Sequence, residues 1–76
     1  MAKLSAGGHH EVARWASGDR GKTLVLRSDG AVLRGYRRPY GGYDYSIMAR
    51  AKPGTSIEVA EAAAERLAHR LGLTRV

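Results

Sequence analysis

The chain has 76 residues, no Cys and a formal net charge of +6. This length suits one domain and leaves little room for a deep catalytic pocket, while the lack of Cys excludes disulfides and thiolate-bound zinc. We therefore expect a small binding module that is not an enzyme and uses no cofactor.

The net charge is unevenly distributed along the sequence. Residues 1–52 carry ten Lys/Arg and four Asp/Glu, whereas residues 53–76 carry three of each. A positive field on one part of a small protein attracts polyanions and acidic surfaces. The expected partner is therefore nucleic acid, or an acidic surface of a protein or ribonucleoprotein.

Hydropathy gives an expectation for where the protein is found. No stretch approaches the roughly 18 apolar residues of a membrane span, and no apolar segment typical of a signal peptide follows Met1. We expect a cytoplasmic protein that does not bind membranes.

The N-terminal part divides into an arm and the start of a domain. Residues 1–8 are small and end in two glycines, which predicts a flexible arm before one domain over residues 9–76. Within residues 9–17, apolar positions at i, i+3 and i+4 indicate one or two helical turns, with an edge strand as the alternative. Trp15 is expected in the core. His9-His10 is not a predicted metal site, because no third ligand lies at a useful spacing.

A β-hairpin is the most strongly predicted local structure. Residues 22–28 and 31–37 alternate in polarity around Asp29-Gly30, a dipeptide that favours a two-residue turn. Pairing outward from this turn places Leu26 opposite Leu33. The predicted core face carries Leu24, Leu26, Ala31 and Leu33, and the predicted outer face carries Thr23, Val25, Arg27, Val32, Arg34 and Tyr36.

A third strand and a helix follow the hairpin. Residues 43–51 alternate in polarity, which predicts a strand with Tyr45, Ile47 and Ala49 on the core face. Thr55 and Glu58 have capping-box spacing at the start of a predicted helix. That helix covers residues 56–71, repeats apolar residues at three- and four-residue steps, and has Gly72 as its C-terminal cap.

These elements together predict an α+β fold. It consists of a three-stranded antiparallel sheet with one face covered by the C-terminal helix, and a short N-terminal helix is a further candidate element. The opposite face of the sheet is then exposed to solvent and carries most of the basic side chains.

The basic outer face and the loop after the hairpin form the predicted binding site. Guanidinium groups bind phosphates through two parallel hydrogen bonds, and tyrosine rings stack on bases or on Arg. The alternative interpretation is an ordinary solvated sheet face. The candidate binding residues are Arg27, Arg34, Tyr36, Arg37, Arg38, Tyr40, Arg50 and Lys52.

Residues 52–67, KPGTSIEVAEAAAERL, are similar to the final strand-to-helix passage of the double-stranded-RNA-binding domain. The resemblance covers residues 22–72 in layout and implies that family's order of helix, three strands and helix. The family binds phosphates with lysines at the start of the last helix, where this chain has Ile57, Glu58 and Glu61. The resemblance therefore implies topology more than RNA binding.

Two other resemblances bear on function. Three strands followed by a helix resemble the arm-type DNA-binding domains of phage integrases, which implies contact through the sheet. In size and character the chain is also similar to small phage-encoded inhibitors, including anti-CRISPR proteins.

Three hypotheses follow from the sequence. The leading one is a non-enzymatic module that binds nucleic acid through the Arg/Tyr-rich sheet face and loop. The second is an inhibitor that binds a host protein or ribonucleoprotein through the same surface. The third is a homodimer formed through an exposed strand edge.

Overall fold

The computed structural model describes residues 10–76, so the arm predicted for residues 1–8 lies outside the described residues. Within these described residues, five strands and one helix follow each other. They are β1 (Glu11–Ala16), β2 (Lys22–Arg27), β3 (Ala31–Arg37), β4 (Tyr43–Arg50), α1 (Ile57–Arg70) and β5 (Thr74–Arg75).

The strands form one antiparallel sheet in the order β4-β3-β2-β1-β5, with α1 packed on one side. The α+β class and the C-terminal helix are confirmed, but the sheet has five strands where the sequence predicted three. No helix in the described part of the chain is long and apolar enough to cross a membrane.

The first element is a strand, so the predicted N-terminal helix is wrong. β1 lies inside the sheet between β2 and β5 and is therefore not an edge strand either. Ala13 and Trp15 face the helix by ordinary alternation, and a bulge between Glu11 and Ala13 adds Val12, which also packs against the core. This extra residue produces the helix-like spacing of apolar positions that misled the sequence analysis. The helix-first order implied by the double-stranded-RNA-binding domain is not the order seen here.

The predicted hairpin exists, but its register differs from the prediction by one residue. Leu26 pairs with Val32, and Val25 pairs with Leu33. The loop holds three residues, 28–30: Gly30 donates to the carbonyl of Arg27 over 3.0 Å and has a φ of +89°. A tight turn followed by a left-handed glycine is the usual form of a three-residue hairpin loop.

The change of register exchanges the two faces of β3, because side chains alternate along a strand. The side of the sheet covered by α1, here called the helix face, carries Ala13, Trp15, Leu24, Leu26, Val32, Arg34 and Tyr36. The other side, called the open face, carries Arg14, Val25, Arg27, Leu33, Gly35, Tyr45 and Ile47.

Several predicted core positions are therefore wrong. Leu33 lies on the open face opposite Ile47, and Tyr45 lies there opposite Gly35. Ile47 is 49% exposed. Ala49 does face the helix, because a second bulge between Ile47 and Ala49 reverses the alternation of β4 at that point.

The core lies between α1 and the central strands. Ala60, Ala64 and Ala68 face the sheet, where they pack in one cluster with Trp15 and Leu24. Small alanine side chains let the helix lie close to the sheet, and Trp15 is fully buried as predicted. α1 contacts mainly β2 and β5, so every residue of β4 remains at least partly exposed.

Both ends of α1 have identifiable caps. Ser56, not Thr55, is the N-cap, and its Oγ accepts from the Val59 amide over 3.2 Å. The predicted capping box of Thr55 and Glu58 is therefore wrong, because the residue three positions after the actual N-cap is Val59, whose side chain cannot accept a hydrogen bond. At the other end Gly72 has a φ of +75°, and the Leu73 amide donates to the carbonyl of Ala68 over 2.9 Å. This arrangement buries Leu73 and directs the chain into β5.

Candidate functional site

Two turns lie side by side at one end of the sheet. The β1–β2 turn covers residues 17–21 and the β3–β4 turn covers residues 38–42. The Arg37 amide donates to the carbonyl of Gly21 over 2.9 Å, and the Tyr43 hydroxyl donates to the carbonyl of Arg20 over 2.8 Å. We call this region the basic end, and its residues are Arg20, Lys22, Arg34, Tyr36, Arg37, Arg38, Tyr40 and Tyr43.

The β1–β2 turn is held by a carboxylate. Asp19 Oδ1 accepts from the Gly21 amide over 2.9 Å and from the Ser17 hydroxyl over 2.7 Å. The hydrogen bond from the Gly21 amide has the largest effect and lowers the pKa of Asp19 below its usual value. The hydrogen bond from the Ser17 hydroxyl and the nearby charge of Arg37 lower it further. Arg20, which follows, adopts a left-handed φ of +63° that is uncommon for a residue with a side chain. This turn therefore fixes Arg20 in an exposed position.

The β3–β4 turn presents the most exposed aromatic ring of the described residues. Its two glycines, Gly41 and Gly42, have φ values of +99° and +73°, which a glycine adopts without strain. Tyr40 at the tip is 98% exposed. Arg38 pairs with Asp44 through its Nε at 2.9 Å and also donates to the carbonyl of Tyr43. The tip is thus ordered by the backbone while its tyrosine remains free to contact a partner.

Arg34 and Tyr36 extend the basic end along the helix face of β3. The guanidinium carbon of Arg34 lies 5.2 Å from the centroid of the Tyr36 ring, within the range of a cation–π contact. Tyr36 pairs across the strands with Lys22. None of the described carboxylates forms an ion pair with Arg34. The stacked arrangement orients the guanidinium without neutralising it.

The basic end has a marked excess of positive charge. It contains five Lys/Arg side chains, and the carboxylates that adjoin it among the described residues are those of Asp19 and Asp44. Repulsion among the cations is offset by exposure to solvent and by these two carboxylates. Such a surface attracts anions over a distance of about one Debye length, roughly 8–10 Å at physiological ionic strength.

Three predicted site residues lie at the opposite end of the sheet. Arg27 pairs with Asp29 at 2.7 Å, and Arg50 approaches the same carboxylate at 3.5 Å. Lys52 follows β4 and is exposed. Since a strand rises about 3.3 Å per residue, Arg27 lies roughly 17 Å along β2 from Lys22. Arg27 and Arg50 therefore take part in an internal ion-pair cluster and are not available to one shared ligand with the basic end.

The prediction of a single arginine-rich sheet face is consequently wrong. Arg27 is on the open face, whereas Arg34 and Tyr36 are on the helix face beyond the part that α1 covers. The structure brings together five of the eight predicted residues: Arg34, Tyr36, Arg37, Arg38 and Tyr40.

Arg20 and Lys22 are members of the site that were not predicted from the sequence. Their positions follow from the topology, because β1, β2, β3 and β4 are consecutive antiparallel neighbours and alternate turns must meet at one end. Recognising residues 11–16 as a strand would have predicted this juxtaposition. No group of three or more His, Asp or Glu side chains within residues 10–76 is placed to hold a metal ion.

Comparison with known proteins adds no assignment to this geometry. The chain matches no protein family, no curated protein and no solved structure.

Proposed function

We propose that this chain is a non-enzymatic module that binds the phosphate backbone of nucleic acid through its basic end. The observation that carries the proposal is the convergence of two turns, which gathers five cations and three tyrosines at one end of the sheet.

The side chains of the basic end suit a polyanion with flat bases. Arg20, Lys22, Arg34 and Arg37 supply about four cations without an ion pair among the described residues. Tyr40 offers an exposed ring for stacking on a base. Arg34 is held against Tyr36, so less side-chain entropy is lost when it meets a phosphate.

Binding through about four phosphates has a quantitative consequence. For duplex DNA the slope of log affinity against log salt is about −0.9 per phosphate, so we expect a slope near −3.6. Raising the salt from 50 to 200 mM then weakens binding by about 150-fold. For a single strand the expected slope is smaller, about −2.8.

The test is fluorescence anisotropy with labelled duplex and single-stranded DNA and RNA at these two salt concentrations. The double variant Arg20→Ala with Arg37→Ala removes two charges from the basic end. For duplex DNA the slope of log affinity against log salt should then become shallower by about 1.8, which corresponds to two phosphate contacts. The matched control is Arg66→Ala with Arg70→Ala, which removes two charges from exposed positions of α1. Absence of binding at 50 mM salt, or an equal loss in both double variants, would contradict the proposal.

A further inference from the structure

β4 is a long, exposed edge of the sheet. It has eight residues and, among the described strands, pairs with β3 alone, whereas β5 at the opposite edge has two residues. Tyr45, Ile47 and Met48 are each more than 40% exposed. An unpaired edge of this length with apolar side chains is a template for another strand.

The hydrogen-bond phase of β4 identifies which backbone groups point away from β3. The Arg38 amide donates to the carbonyl of Gly42 over 2.9 Å, so this pair is hydrogen-bonded. Hydrogen-bonded and non-hydrogen-bonded pairs alternate along an antiparallel ladder. Tyr36–Asp44 and Arg34–Ser46 are then hydrogen-bonded pairs. The outward-facing N–H and C=O groups are therefore those of Tyr43, Tyr45 and Ile47.

We propose that two copies of this chain pair through β4 as antiparallel strands, related by a two-fold axis beside Tyr45. In this register Tyr45 lies opposite Tyr45 of the partner subunit, and Tyr43 lies opposite Ile47 of the partner subunit. All three outward-facing residues then find outward-facing counterparts. The two sheets become one continuous sheet of ten strands, with both helices on the same side.

The occupant is a second copy because the segment is complementary to itself. Aromatic–aromatic and aromatic–β-branched pairs are among the favourable cross-strand combinations on an antiparallel sheet. Residues 43–47 contain no Pro and no Lys, and their single charge, Asp44, is neutralised by Arg38 of the same subunit. Asp44 faces Ser46 of the partner subunit, so no like charges lie directly opposite each other.

Other registers satisfy fewer of these groups. With the axis beside Asp44, Tyr43 and Tyr45 find outward-facing counterparts but Ile47 lies opposite the turn. With the axis beside Ser46, Tyr45 and Ile47 find counterparts but Tyr43 lies opposite Ala49, beyond the bulge. An axis beside Ile47 extends the pairing across the bulge that follows it, where the alternation of β4 is interrupted. The axis beside Tyr45 is the one that uses the regular part of the strand.

Disulfide trapping tests the register directly, since the chain has no native Cys. Residues in a hydrogen-bonded antiparallel pair have Cα atoms about 5.5 Å apart, which a disulfide can bridge. Tyr45→Cys should therefore form a covalent dimer under mild oxidation. Ile47→Cys alone should not, because its two copies lie four residues apart along the strands, roughly 13 Å.

A second pair of variants keeps the test independent of the Tyr45 side chain. Tyr43→Cys and Ile47→Cys, mixed as separate proteins, should give the mixed disulfide at least tenfold faster than either protein gives its own. Cross-linking of Ile47→Cys with itself at the rate of Tyr45→Cys would overturn the register.

Sedimentation velocity at 10 and 500 μM tests the association itself. The unmodified chain should shift towards the dimer with concentration, and Ile47→Pro should weaken the association at least tenfold. The missing N–H at this position points outward, so the β3–β4 ladder keeps its bonds. Ser46→Ala, whose side chain faces the helix side, is the control and should associate normally. A chain that remains monomeric at both concentrations, or dimers unaffected by Ile47→Pro, would overturn the proposal.

Discussion

The carboxylate of Glu65 accepts a hydrogen bond from the indole Nε1 of Trp15, which is completely buried beneath α1. The ring of Trp15 is also covered by the Arg75 guanidinium, whose carbon lies 5.2 Å from the ring centroid. Arg75 in turn pairs with Glu61 at 2.8 Å. One side chain of β1 is thus tied to two turns of α1 and to β5.

Replacing Glu65→Ala should lower the free energy of unfolding by about 1–3 kcal/mol. The substitution leaves the buried indole N–H without its acceptor, and an unsatisfied buried donor retains its full desolvation cost. Urea denaturation followed by Trp fluorescence measures the change. Glu58→Ala is the control, because Glu58 lies in the first turn of the same helix and away from Trp15. Equal losses in the two variants would show that the indole bond contributes nothing specific.

Replacing Gly35→Ala should destabilise the protein by about 1–3 kcal/mol through overpacking. A Cβ at this position would lie 2.5 Å from Thr23 Oγ1 and 2.6 Å from Tyr45 Cε1. The matched control is Gly18→Ala, since a Cβ there meets no atom within 4 Å. Thermal denaturation of both variants checks the prediction. The loss should shrink when Gly35→Ala is combined with Tyr45→Ala, and an unchanged loss would show that the ring contact is not the cause.

Replacing Asp29→Ala should cost about 1–3 kcal/mol of stability. Asp29 Oδ1 accepts from the Ala31 amide over 3.2 Å, and the carboxylate pairs with the partly buried Arg27. Arg50→Ala should cost less than about 1 kcal/mol, because Arg50 is exposed and lies farther from the carboxylate. Chemical denaturation of the two variants compares them. Similar losses in the two variants would indicate that the stabilisation comes from the ion-pair cluster as a whole and not from the hydrogen bond of Asp29 within the turn.

The pKa of Asp19 predicts a dependence of stability on pH. Bonds to its carboxylate lower this pKa in the folded state, so the stabilisation is complete above the ordinary value of 3.8. It is lost as the pH falls through the lowered pKa. Urea midpoints measured at pH 6 and pH 2.5 should therefore differ less in Asp19→Ala than in the unmodified chain. An identical difference in both proteins would contradict the assignment.

Much of the fold follows from local chemistry that the sequence displays. Gly72 caps the C-terminal end of α1, Trp15 is buried and a hairpin surrounds Asp29, all as the sequence predicted. The failures occur where one additional residue changes the side-chain alternation. The bulge before Ala13 imitates helical spacing, and the three-residue loop shifts the hairpin register. A bulge or an extra loop residue is defined by how a strand pairs with its neighbour. The polarity pattern of one strand alone therefore does not reveal it.

The candidate site was predicted only in part, because its prediction depended on the same assignment of strands and faces. Arg37, Arg38 and Tyr40 are adjacent in the sequence and remain together in space. Arg27 and Arg50 were predicted to lie beside them only because all were assigned to the same face of the sheet. In the structure both pair with Asp29. Arg20 and Lys22 belong to the site only because β1 is a strand, which the sequence left open.

The length of the loop at residues 28–30 has an evolutionary consequence. Deleting one residue there, without altering any other, would give the tight two-residue connection and rotate every side chain of β3 to the reverse surface. Arg34 would move to the side where Arg14 lies, and Leu33 would turn towards the helix. A homologue with a shortened connection would thus display a differently charged exterior on an unchanged scaffold.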